Sequence, residues 1–408
     1  MKKTLTTLVV VLLPFVMSVS SYGAGFALYE YSAKGTAMGG ATVANGAEAA
    51  SLASNPALIT ELEGTQIQVG ATVVVADATT TVDGDSRSLD RNLIPVPNFY
   101  ITHKWSEDVS LGLGGFTRFG LGGEYQDYAT WAGSALAYKM NLETFSLTPT
   151  IAIKANEELS LAMGLEAMII GFTQEAMLSP LYPTSNYKLS GSGVNWGGNF
   201  SLLYKPQWAE KWAFGAMYRT KVKTDLTGRI RTGGFPLLSS YNLINADVVG
   251  SIVLPDSITA GLAFKPTDKW TFETGIVGTF WSSYDQILIQ YTGEDADRPV
   301  IRNLKNYKDT FRVNFGTEYK INDTWAVRAG YVFDKSPINE KAMDTMVPVD
   351  DRHIASIGAG YATDAWTIDA YYGRIFGENL SGVSTRGETV KYSHGHSDLY
   401  GITIGYKF

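Results

Sequence analysis

The chain has 408 residues, 18% of them charged and 12% aromatic, with 42 glycines, no cysteine and a formal net charge of −7. The acidic balance and the lack of a dense basic patch exclude nucleic acid as a partner, and the missing cysteines exclude a disulfide scaffold or thiol chemistry. Beyond Met17 no apolar run approaches the ~18 residues a membrane helix needs, so any membrane crossing falls to strands.

Residues 1–23 carry Lys2 and Lys3, an apolar run from Leu5 to Met17, and small or polar residues at Ser18–Ser21. This is the layout of a secretory signal peptide, with the mature chain expected to start at Ala24. Removing the two lysines leaves 31 − 40 = −9 as the mature formal charge. Residues 24–64 follow. Their Gly- and Ala-rich stretch Ala24–Thr60 lacks strand alternation and reads as an N-terminal hatch. Residues 65–408 read as the wall around it.

A strand that crosses a membrane shows lipid an apolar side chain at every second position. By that test Ile67, Val69, Ala71, Val73 and Val75 face outward on the first strand, and Tyr400, Ile402, Ile404, Tyr406 and Phe408 on the last. Between them the alternation predicts strands near 66–78, 96–105, 109–121, 141–154, 159–172, 193–205, 211–228, 247–265, 269–283, 308–320, 324–334, 352–362, 365–376 and 397–408. The expected fold is therefore all-β: a transmembrane antiparallel β-barrel of about 14 strands, with the hatch inside. Short turns such as Ser106–Asp108 and Thr363–Asp364 alternate with long polar segments such as Glu124–Met140 and Gly377–Ser397, the asymmetry of a barrel whose long loops lie outside the cell. Trp105, Trp212, Trp270, Trp325 and Trp366 lie beside the short turns in outward phase, as an interfacial girdle does.

The opposite phase turns Arg118, Glu166, Arg219, Glu273, Arg312, Glu318, Arg328, Asp334 and Asp369 inward, among Gly112, Gly114, Phe116 and Met217. A lumen part charged and part apolar suits an amphipathic ligand better than ions. No Ser-His-acid arrangement with recognisable spacing occurs, and the pair His394 and His396, placed in the last long loop, lacks further nearby ligands. The chain is expected to be neither an enzyme nor a carrier of cofactor or metal.

Several motifs in a shared order resemble those of the FadL/TodX family of outer-membrane transporters of long-chain fatty acids and other hydrophobic compounds. They are Ala24-Gly25-Phe26 with Glu30 and Gly35, Ser54-Asn55-Pro56-Ala57, Leu254-Pro255-Asp256-Ser257, Arg328-Ala329-Gly330-Tyr331 with Asp334 and Ser336-Pro337, and Asp351-Arg352. The resemblance implies a Gram-negative outer-membrane channel for passive uptake of hydrophobic ligands. It also implies hatch movement, and lateral release into the bilayer through a kink in the third strand, where Gly112, Gly114, Gly115, Gly120, Gly122 and Gly123 make a break plausible. It marks Phe26 as the N-terminal residue near an inner pocket, Asn55, Pro56 and Ala57 as the hatch motif, and Asp334 as the acid facing the N-terminal segment. Phe116, Arg118 and Gly120 are further ligand-binding or gating candidates, the first two by their inward phase and Gly120 as one of the kink glycines. Arg118, Arg219, Arg312 and Arg328 are candidates, from phase alone, for holding a carboxylate head. The expected partners are a hydrophobic small molecule and the lipid bilayer, and the expected state is a monomer. A second reading of the same pattern is a barrel-anchored adhesin or interaction protein with functional outer loops.

Overall fold

The computed structural model describes residues 25–91, 93–178, 185–233, 245–348 and 350–408. The expected signal peptide and Ala24 lie outside the described residues.

The wall strands run Thr65–Val82, Leu93–Lys104, Val109–Phe116 with Gly120–Glu124, Lys139–Lys154, Leu159–Met177, Asn186–Tyr204 and Trp212–Arg219 with Val222–Gly233. They continue as Asn245–Leu254 with Ser257–Phe264, Trp270–Thr279 with Gln286–Tyr291, Ile301–Leu304 with Thr310–Lys320, Trp325–Asp334, Arg352–Ala362, Trp366–Gly377 and Thr389–Lys407. Counted with their broken pieces joined, these are fourteen strands, each paired antiparallel with the next. The first pairs with the last from Gln66↔Lys407 to Val82↔Val390, which closes the sheet and leaves no edge.

Alternation decides which way each side chain points. In the last strand Tyr400, Ile402 and Ile404 are exposed, while Leu399 and Thr403 are 1% exposed. The same pattern runs around the barrel and leaves an outward apolar belt of residues such as Leu161, Met163, Leu165, Phe214, Phe272 and Ile357. The five tryptophans expected at the interface all point outward.

The strands extend further on the long-loop side than alternation predicts. The fifth continues to Met177, the sixth starts at Asn186 and the last at Thr389. His394 and His396 therefore lie in a strand and not in a loop, at a register shift where Asp77 faces His396 and Thr79 faces Ser393. Two short strands, Asp85–Ser88 and Leu380–Val383, pair with the first and last strands in the same region. Beyond the apolar belt neither face meets lipid, so backbone pairing continues where the hydrophobic period has stopped.

The hatch fills the lumen with three short helical turns, Ala33–Ala37, Ser51–Ser54 and Pro56–Glu61. Ser32 caps the first, its hydroxyl accepting from the Gly35 N–H at 2.9 Å. Asn55 caps the third, its Oδ1 accepting from the Ala57 N–H at 3.0 Å, with Pro56 at the position where a missing N–H costs nothing. The hatch backbone lies directly on the wall. A Cβ added to Gly215 would fall 1.9 Å from the Val43 carbonyl oxygen, and one on Gly330 would fall 2.1 Å from the Gly39 nitrogen.

Candidate functional site

The far end of the hatch is tied to the wall by polar bonds. Asn55 Nδ2 donates to the Val43 carbonyl at 2.6 Å and to the Leu202 carbonyl of the sixth strand at 2.9 Å. The Ala57 N–H also reaches Ser201 at 3.1 Å, and Thr60 donates to Ser160 at 2.9 Å. From the seventh strand Arg219 Nη2 donates to the Ala53 carbonyl at 2.8 Å. From the ninth, Glu273 Oε1 accepts from the Val43 and Ala44 N–H groups at 2.5 and 2.8 Å.

The leading end is held differently. Phe26 is buried in an aromatic cage, its ring centroid 4.7 Å from Trp281, 5.1 Å from Tyr284 and 5.9 Å from Phe119, all edge-on. Tyr307 closes the cage at 5.0 Å from Tyr284 and 5.7 Å from Trp281. Edge-to-face geometry sets the positive ring edge on the negative ring face, which adds to the gain from burial.

This cage lies at the break in the third strand. The ladder between the second and third strands stops at Phe99↔Gly115. On the other side Phe116 faces Ser146 and pairing resumes with Gly120 facing Glu143, so four steps on the third strand span three on the fourth. One extra residue is accommodated across Thr117, Arg118 and Phe119, as in a β-bulge. The freed backbone edge is taken by the hatch itself. Leu28 N–H donates to the Arg118 carbonyl at 2.8 Å, Gly120 N–H donates to the Phe26 carbonyl at 2.9 Å, and Ala27 bridges Phe119.

Between the two ends lies a cavity of about 60 Å³ bordered by Tyr29, Tyr31, Arg118, Phe119, Arg219 and Arg312. Its guanidinium groups sit over aromatic faces: Arg312 over Tyr29 at 4.4 Å, Arg118 over Phe119 at 5.0 Å and Arg219 over Phe116 at 5.2 Å. Behind them, Arg118 Nη1 donates to Glu166 at 2.7 Å, and Ser146 donates to the other oxygen of that carboxylate at 2.6 Å. Arg219 Nη1 is buried without a hydrogen-bond partner, 3.8 Å from Glu166 Oε2. Burial pushes the Tyr29 hydroxyl up to about 12, with the Asp334 charge adding to the rise and Arg312 opposing it, and burial also raises Tyr31. Both phenols stay neutral near pH 7.

Among the residues singled out by phase or motif, Phe26, Phe116, Arg118 and Gly120 meet at the break, with Asn55, Pro56 and Ala57 at the opposite end of the hatch. Asp334 does not line the cavity. It pairs with Arg312 at 3.4 Å and with Arg352, and so meets the N-terminal segment through guanidinium groups, that of Arg312 stacked on Tyr29. Arg328 lies elsewhere: it donates to Glu318 and Asp369 at 2.7 and 2.6 Å and borders a separate cavity beside the short turns. Both of its charged neighbours are carboxylates, which leaves it no surplus for a ligand head in the upper cavity. Trp281, Tyr284 and Tyr307 went unnoticed in the sequence because Trp281–Ser283 forms a short turn between two strand pieces, where period-2 reading has no purchase.

A profile of the outer membrane protein transport protein family (OMPP1/FadL/TodX) matches residues 15–408. The chain belongs to this family. Its similarity to the long-chain fatty acid transport protein of Salmonella typhi is 26% identity over 96% of each chain, and to outer membrane protein P1 of Haemophilus influenzae 26% over 94% of this chain and 95% of that one. Among solved structures, the Pseudomonas aeruginosa FadL homologue matches with a TM-score of 0.83 at 18% identity, over 94% of this chain and all of that one. The P. putida toluene transporter TodX matches with a TM-score of 0.72 at 19% identity, over 93% and 99%. These structural likenesses carry the closed 14-strand barrel, and the Salmonella typhi relative is a transport protein by name. The chain is thus an outer-membrane barrel of a transport family.

Proposed function

We propose that this chain is a passive channel for hydrophobic ligands, of which long-chain fatty acids fit best, and that it works by withdrawal of the leading hatch residues and lateral release through the third-strand break. The observation that carries this reading is the pairing of Phe26 and Leu28 with Gly120 and Arg118. The segment that must move and the wall that must open are joined by the same backbone bonds, so one displacement serves both.

A cavity of about 60 Å³ is far below the ~300–1,000 Å³ of a ligand pocket, so a ligand enters only as Phe26 leaves its cage. An acyl chain gains about 0.8 kcal/mol per buried methylene, enough over several carbons to replace the Phe26 ring. Of the charged residues bordering the cavity three are arginines, and the one acid, Glu48, is already engaged by Ser32 and Gln68 at 2.6 and 2.7 Å. The spare Arg219 Nη1 then receives a carboxylate head. The fatty acid transport proteins named above support this class, while TodX shows that the same fold serves toluene.

The cysteine-free chain allows a clean test. Ala27→Cys with Phe119→Cys places two thiols at an antiparallel bridge, where Cα separations of ~4.5–5.5 Å suit a disulfide. Oxidation should cut fatty acid uptake at least tenfold, and reduction should restore it. Undiminished uptake by the oxidised protein would overturn the coupling.

A further inference from the structure

Two guanidinium groups behind the cavity share one carboxylate. Arg118 comes from the third-strand break, Glu166 from the fifth strand and Arg219 from the seventh, and they are 4%, 0% and 2% exposed. Glu166 Oε1 accepts from Ser146 at 2.6 Å, and its Oε2 accepts from Arg118 Nη1 at 2.7 Å. The same Oε2 lies 3.8 Å from Arg219 Nη1, beyond hydrogen-bond reach. Arg219 Nη2 is spent on the Ala53 carbonyl at 2.8 Å, and Nη1 is left buried without a hydrogen-bond partner.

The acids around this cluster are committed elsewhere. Asp334 pairs with Arg312 and Arg352, and Arg352 also feels the charge of Glu30, so two acids serve those two guanidiniums. Glu48, on the cavity border, is held by Ser32 and Gln68 and forms no ion pair among the described residues. Among the described residues Glu166 is therefore the one acid within 4 Å of Arg219. A shift of ~1 Å would bring Oε2 to Arg219 Nη1 at the length of a charge-assisted hydrogen bond. What prevents it is Arg118, which already occupies that oxygen. Opposite charges buried this deeply attract strongly, so a Glu166 released by Arg118 closes on Arg219.

We infer, building on the carboxylate reception proposed for Arg219, that Arg118 determines head-group specificity as a positioning residue: by holding Glu166 it keeps Arg219 Nη1 vacant for the acid head. Without Arg118, Glu166 neutralises Arg219 from within, and the cavity treats a fatty acid and an uncharged chain of equal length alike. The Arg118 carbonyl also accepts from the Leu28 N–H. The residue that keeps the head site open is thus the one to which the leading hatch segment is bonded.

The test compares equilibrium binding of radiolabelled laurate and of dodecanol, an uncharged chain of the same length, to the purified full-length barrel at neutral pH. The native chain should prefer laurate by about tenfold or more, the worth of a buried hydrogen bond to a charged group. Arg118→Met should cut that preference to about threefold or less although Arg219 is untouched, and Arg118→Met combined with Glu166→Gln should restore it. Glu166→Gln alone should bind laurate at least as tightly as the native chain. Dodecanol affinity and mobility on unheated gels should stay unchanged throughout. A purely structural role for Arg118 would instead weaken both ligands together and would not be rescued by the second substitution.

Arg219→Met separates this inference from the reading beneath it. Laurate preference lost in Arg219→Met but kept in Arg118→Met overturns the role of Arg118 while the head site stands. Failure of the double variant to regain the preference overturns it too, as does a loss of laurate preference in Glu166→Gln, which decides the matter even if Arg118→Met does not assemble. A native chain without laurate preference, or an Arg219→Met variant that retains it, removes the head site at Arg219 and the role of Arg118 with it.

Discussion

The two ends of the hatch are fastened by opposite kinds of interaction. The far end, from Val43 to Thr60, is held by directional bonds from Asn55, Arg219, Glu273, Ser201 and Ser160, spread over the fifth, sixth, seventh and ninth strands. The leading end is held by ring contacts and by two backbone bonds to an interrupted strand. Directional bonds to buried groups fail abruptly, because each unpaired partner carries a desolvation penalty. Apolar contacts can be exchanged for those of another apolar group at little net cost, so the leading end is the replaceable one.

Exchanging the roles of the two ends should have graded effects. The largest is expected from Gly215→Ala, which sets a methyl on the Val43 carbonyl and unseats the anchored end. Planar-bilayer recordings should show a persistent open conductance that the native chain lacks, while barrel mobility on unheated gels is unchanged. Next is Phe26→Ala, where loss of a buried ring costs about 3–5 kcal/mol. It should free the leading segment without a permanent pore, seen as faster protease access near residue 30 and weaker ligand discrimination. Asn55→Ala should cost about 1–3 kcal/mol by stranding the Val43 and Leu202 carbonyls, lowering uptake while the assembled barrel persists. A leading end that proved harder to displace than the anchored one would reverse the comparison.

The smallest effect is on pH. Because burial raises Tyr29 to about 12, the folded chain holds that proton where the unfolded chain begins to release it near pH 10. The stability from this group is complete below pH 10 and falls between pH 10 and about 12. Absorbance of tyrosinate should therefore show a late-titrating fraction that Tyr29→Phe reduces.

Much of this architecture is readable from the chain because a lipid-facing wall repeats one physical demand. Tyr400, Ile402 and Ile404 had to alternate with Leu399, Gly401 and Thr403, and do. Alternation assigns a face but not a height. Arg328 and Arg312 share the inward phase, yet the first is bound by Glu318 and Asp369 below the hatch while the second lies over Tyr29. The glycines around 112–123 signalled weakness in the third strand, but the extra residue at Thr117–Phe119 is set by pairing with the fourth, which no local pattern records. The Phe26 cage draws on residues 281–307, more than 250 positions away, and that distance is closed only when the barrel is.

Of the nine tryptophans in the chain, seven are exposed on the outer surface, and Trp131 is buried in the long-loop region. Trp281 alone is buried in contact with the hatch, at 1% exposure, with its ring against Phe26. Under the withdrawal proposed for the first hatch residues, this indole serves as an optical gauge of occupancy: it is shielded from aqueous quenchers while those residues are seated, and its emission should change on addition of a hydrophobic ligand.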